Sequence, residues 1–175
     1  MERTKEQYSK GGLRKNTQGS AAAEFAMVLP LLIIFLAVVL DFGRLMMDYH
    51  AASKSIRDAS RYLTRVEVTC DAAGGAVDNA QNIVIAKNLA LSGSVGTPVA
   101  GDYLLSYWTD PGSISITVTC IENLGQFSGR YEQIAYIPSI TVTATVPFTM
   151  LFGVIVYSGP QLSFVTTTNM VWMSI

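Results

Sequence analysis

Residues 25–40 form sixteen consecutive positions without a charge, bracketed by Glu24 and Asp41. A helix that is apolar on every side has no solvated face, so it needs a protein core or a lipid bilayer around it. A span of the hydrocarbon core takes about 20 residues. Adding the small residues Ser20, Ala21, Ala22 and Ala23 supplies that length and places Glu24 near one membrane edge. Pro30 lies inside the run and removes one backbone donor, which membrane helices tolerate better than soluble ones. Only 14% of the chain is charged, against about 25% in an ordinary soluble domain. The apolar run accounts for part of that deficit.

Charge distribution sets an orientation. Before Glu24 stand five cations (Arg3, Lys5, Lys10, Arg14, Lys15) and two anions (Glu2, Glu6). By the positive-inside rule this flank stays in the cytoplasm and the remainder is exported. A cleaved secretory signal would carry its small residues after the apolar run. Here Gly19 to Ala23 precede it, so cleavage beyond the run is disfavoured. Residues 1–19 are polar and glycine-rich and read as a disordered leader. The formal net charge of −1 provides no basic field for nucleic acid.

The helical pattern continues beyond Asp41. Phe42, Leu45, Met46, Tyr49, Ala52, Ser53, Ile56, Ala59, Ser60 and Leu63 follow an i, i+3, i+4, i+7 series, with charged residues between them. The reading is one helix from Ser20 to about Arg65, roughly 70 Å long at 1.5 Å per residue. Its lower half, residues 20–41, is transmembrane. Its upper half, residues 42–65, is an amphipathic spine for a domain spanning residues 66–175.

The stretch from Gly19 to Arg65, roughly a quarter of the chain, resembles the TadE-like family of the tight-adherence (Flp-type) pilus machinery. The resemblance rests on Gly19, Glu24-Phe25, the apolar run with Leu29-Pro30-Leu31, the segment Asp41-Phe42-Gly43-Arg44, and the small and basic stretch from Ala52 to Arg65. It implies a minor pseudopilin of the bacterial inner membrane, with a periplasmic C-terminal domain and a place in or beside the pilus. It also implies a prepilin peptidase cutting between Gly19 and Ser20. Glu24 then stands fifth in the mature chain, beside Phe25, and the implied partners are other pilins and the inner-membrane platform. A carboxylate in hydrocarbon costs about 2.5–3.5 kcal/mol on insertion scales. The amino terminus of a neighbouring Ser20 would neutralise Glu24 and set the register between subunits. Without that resemblance, headgroup contact or pairing with Lys15 explains Glu24 equally well.

The remaining sequence predicts an α+β fold, with the long helix packed on a small antiparallel sheet and a second helix beside it. Residues 66–70 read as a short strand, Gly74-Gly75 as a turn, and residues 76–91 as an amphipathic helix with Asp78 as N-cap and Gly93 as stop. Residues 92–112 read as a loop. Residues 113–120 and 139–146 alternate strictly, and residues 161–172 form a less regular strand. Ile114, Ile116, Val118, Ile140, Val142 and Val146 are expected inward, with the threonines between them outward. Residues 148–152 and 154–157 are strongly apolar. They read first as a connection packed into the core and second as a patch turned toward the membrane. Pro147, Gly153, Gly159 and Pro160 keep this stretch below spanning length.

Cys70 and Cys120 both follow the span, so an exported domain places them in an oxidising compartment. They read either as two separate buried thiols or as a disulfide, and the ends of the strand-like runs on which they sit favour the bond. Catalytic chemistry lacks a signature. His50 is the single histidine, and no Walker loop, G-x-S-x-G or H-E-x-x-H occurs. Neither cofactor nor metal is expected, and the protein does not read as an enzyme. The alternative to an assembly protein is a tethered binding module, with Tyr103, Tyr107 and Trp108 as its ligand surface.

Overall fold

The computed structural model describes residues 17–152 and 162–173. Residues 1–16 of the expected leader (1–19) and the apolar residues 154–157 lie outside them, and residues 17–19 of that leader are helical. Helix α1 runs from Thr17 to Leu63 and continues through Pro30. It is shared by two units: the part up to Val39 belongs to the first, and the part from Leu40 onward belongs with the rest of the chain.

The second unit is built on a five-stranded antiparallel sheet in the order β1-β2-β3-β4-β5, formed by Val68–Asp71, Gly74–Val77, Ile114–Glu122, Tyr136–Phe148 and Leu162–Val171. A second helix, α2, spans Ala80–Ser92. The architecture is the expected α+β fold. The long ladders pair β3 with β4 from Ile114↔Ala144 to Glu122↔Tyr136, and β4 with β5 from Ser139↔Val171 to Phe148↔Leu162.

Alternation selects the buried face. Ile114, Ile140, Val142, Ala144 and Val146 are buried, while Ser115, Thr117, Thr119 and Thr145 are exposed. Ala52, Ile56, Ala59 and Leu63 of α1 join the same core, with Ala86, Ala90 and Leu91 of α2. Burying Ile56, Leu63 or Val142 stabilises the domain by about 1.5–3 kcal/mol each. Buried hydroxyls on α1 need partners: Ser55 donates to the Ala52 carbonyl and Ser60 to that of Ile56. Ser53 meets Thr166 of β5 at 3.1 Å.

Phe42, Met46 and Tyr49, the lower end of the expected spine stripe, are exposed instead of buried. The core covers the stripe only from Ala52 upward. The Tyr49 ring lies 5.6 Å from that of Phe164 and 6.1 Å from that of His50.

Of the two prolines in β4, Pro138 has a specific substitute partner. Trp172 N–H donates to the Pro138 carbonyl at 2.9 Å. In an antiparallel pair Pro138 would return a bond to the Trp172 carbonyl, and proline has no N–H with which to do so. Tyr131 hydroxyl donates to that carbonyl at 2.8 Å.

Two expectations for residues 74–79 are corrected. Gly74-Gly75 is not the turn; both residues belong to β2, paired with Asp71 and Cys70. The turn is Ala72-Ala73, and Asp71 Oδ1 accepts from the N–H groups of Ala73 and Gly74. Gly74 is suited to the place because its φ is +139°. Helix α2 begins four residues later than expected, and its N-cap is Asn79, whose side chain accepts from Gln81 N–H. Asp78 is unavailable as a cap because its carboxylate binds the Thr69 backbone and hydroxyl. Ala76 and Val77 carry a helical spacing, but pairing with Thr69 and Val68 holds them in β2. The stop at Gly93 is as expected, with φ +73° and a bond to the Leu89 carbonyl.

Candidate functional site

The apolar part of α1 has the length and composition to cross a membrane, and only 11% of its most apolar window is buried within the chain. Phe25, Leu31, Phe35 and Leu36 are all more than half exposed. A core helix of a soluble domain would have these side chains covered, so this surface requires lipid or other helices. Gly19 and Glu24 both lie on this helix, Glu24 on an exposed side.

Where the apolar run ends, the chain builds a clamp. Asp41 is only 7% exposed. Its Oδ1 accepts from Leu151 N–H at 3.0 Å and its Oδ2 from Phe152 N–H at 3.1 Å. One turn up the helix, Arg44 donates to the Thr149 carbonyl at 3.4 Å. Burying a carboxylate is costly unless its oxygens are bonded, and two backbone donors supply that here. The segment after β4 is thereby fixed to α1. Phe148 is buried as a connection would be, whereas Leu151 is 62% exposed.

A second tie lies one turn further along. The Tyr107 hydroxyl donates to Asp48. Burial raises the Tyr107 pKa, and the hydrogen bond and negative charge of Asp48 raise it further, while Arg44 works in the opposite sense. This bond fastens the loop between α2 and β3 to the spine. Trp108 in the same loop is fully buried, and its indole N–H donates to Ser113 Oγ at 2.8 Å. Tyr103 is half-buried against the core. The three aromatics therefore do not form an exposed ligand surface: one is core, one is a strut, and one packs beneath the loop.

Cys70 of β1 and Cys120 of β3 are joined by a disulfide with Cα atoms 5.7 Å apart. Gly75 of β2 lies against it. A Cβ there would stand 2.4 Å from Val118 Cγ1 and 2.9 Å from Cys120 Sγ. Only glycine fits beside this bond. His50 is exposed, and among the described residues no cluster of three or more His, Cys, Asp or Glu side chains could hold a metal ion.

Sequence reading found Asp41 and Arg44 as part of a segment but not what they hold. Their partners are 110 and 105 residues away and are backbone atoms, which leave no side-chain signature.

The model of the TadE-like protein family matches residues 19–61. The match starts at the glycine before the apolar run and ends within the last turn of α1. It thus includes Glu24, Asp41, Arg44 and Asp48, and stops short of the sheet. No curated protein and no solved structure matches the chain.

Proposed function

We propose that this chain, TadE-like over its long helix, is a minor pseudopilin-like structural component of a tight-adherence (Flp-type) pilus. Residues 1–19 are a cytoplasmic leader, residues 20–41 cross the inner membrane, and residues 42–65 carry a periplasmic domain of residues 66–175. Prepilin peptidase cuts between Gly19 and Ser20. The processed helix then packs among other pilins and the inner-membrane platform, with Glu24 receiving the amino terminus of a neighbouring Ser20 and Phe25 packing beside it.

One observation carries this reading: the family match falls on a helix whose apolar surface the chain does not itself cover. Side-by-side helix assembly buries that surface. A disulfide in the second unit suits an oxidising periplasm. The role is structural, and no catalytic step is assigned.

The test is co-assembly. Glu24→Gln keeps size and helix propensity while removing the charge. The variant is expected to insert and form its disulfide normally but to be lost from complexes with the other pilins. Undiminished co-purification would contradict the register role of Glu24.

A further inference from the structure

We propose that Leu151 and Phe152, in the segment that follows β4, form a second membrane contact that rests in the headgroup layer where α1 leaves the bilayer. The proposal rests on the reading of α1 as a membrane span. Asp41 directly follows Leu40, the last residue of the uncharged run. The two residues whose N–H groups Asp41 binds therefore lie within one helical turn of the end of the span. Arg44 and Thr149 reinforce the same attachment.

The chemistry fits a lipid surface. Leu151 is 62% exposed and Phe42, next to the clamp, is 59% exposed, although a buried core lies close by in Phe148 and Val146. No charged residue occurs after Glu132. In water, the N–H groups of an exposed loop bond to solvent, and a buried carboxylate is an expensive replacement. Beside hydrocarbon, unpaired N–H groups are costly, so an internal acceptor is required. Asp41 meets that requirement while its own charge is balanced by two donors. Arg44 adds a guanidinium at the level of the lipid phosphates. Leu and Phe side chains then enter the headgroup and acyl boundary, as apolar faces of interfacial segments do.

The experiment uses full-length protein with its native disulfide, reconstituted in phosphatidylcholine vesicles containing lipids spin-labelled near the headgroup. Leu151→Cys, Val165→Cys and Leu36→Cys are each labelled with bimane. These side chains are exposed, so the fold tolerates the change. The label at 151 is expected to be quenched by shallow spin labels several-fold more than the label at 165, which lies on β5. Quenching at 151 no greater than at 165, with the label at 36 quenched by deep spin labels, overturns the proposal and leaves the anchor standing. Absence of quenching at both 36 and 151 removes the anchor and the proposal together. Protection of 151 from both lipid spin labels and aqueous iodide means that a second copy covers Leu151 and Phe152, which also overturns it.

Discussion

Asp41 holds Leu151 by its backbone: a carboxylate from the long helix accepts the N–H of a residue 110 positions later, and its other oxygen accepts the next N–H. The end of the apolar run and the start of the folded domain are thus tied at one side chain. The TadE-like match covers Asp41 but not the segment it holds. Asp41 makes this contact through main-chain atoms, so the clamp itself does not depend on which side chains residues 151 and 152 carry.

Asp41→Ala removes both acceptors and leaves two N–H groups to find others. The expected loss is about 1–3 kcal/mol per buried group left unpaired. Asp41→Asn retains one acceptor and should lose less. Denaturant unfolding of the detergent-solubilised protein measures the difference, and limited proteolysis should show faster cutting after Phe148 with the sheet otherwise intact.

The disulfide joins residues 50 apart in sequence. Closing such a loop contributes about 4 kcal/mol in the chain-entropy model. Replacing Cys70 and Cys120 together by serine should lower stability by roughly that amount. Gly75→Ala should lower it by about 1–3 kcal/mol with the disulfide intact, because the new methyl overlaps Val118 and Cys120. An unchanged unfolding midpoint for Gly75→Ala would show that the strands can part at no cost.

Tyr107 retains its proton to higher pH in the folded protein than in the unfolded chain, where the phenol titrates near pH 10. The folded state binds the extra proton, so this contribution is fully present below about pH 10 and declines as pH rises beyond it. Stability measured from pH 8 to pH 11 should fall at the alkaline end. Tyr107→Phe should remove part of that fall and lower stability at pH 8 by the loss of the Asp48 bond. A slope identical in wild type and variant would contradict the assignment.

Trp108→Ala is expected to cost about 3–5 kcal/mol, as large-to-small changes at fully buried aromatics do. Trp108→Phe should cost less, losing the bond to Ser113 and part of the volume. Were the loop a ligand surface, both changes would leave unfolding unaltered.

Much of the architecture was legible because periodicity was backed by burial. Residues 114–120 and 139–146 alternate in sequence, and exposure alternates with them over 114–120 and 140–146; Ala52, Ile56, Ala59 and Leu63 share one helical stripe and one core. The misreadings have local physical causes. Gly74-Gly75 has turn composition, yet Gly75 is glycine because a disulfide and Val118 crowd it. Asp78 precedes a helical pattern, yet its carboxylate was taken by Thr69. Trp108 stands in a Gly- and Pro-rich loop, where exposure is the usual expectation, yet the loop folds it inward over Ser113. The stripe from Phe42 to Tyr49 has core spacing but lies below the level that the core reaches. Spacing alone cannot tell a face covered by the chain itself from one left for lipid or a neighbour.

The mature N-terminus tests the central claim most directly. Protein purified from membranes of cells containing prepilin peptidase should begin at Ser20, and protein from cells lacking the peptidase should begin at Met1. N-terminal sequencing that finds Met1 in both strains, with the protein still assembled among pilins, would contradict the account.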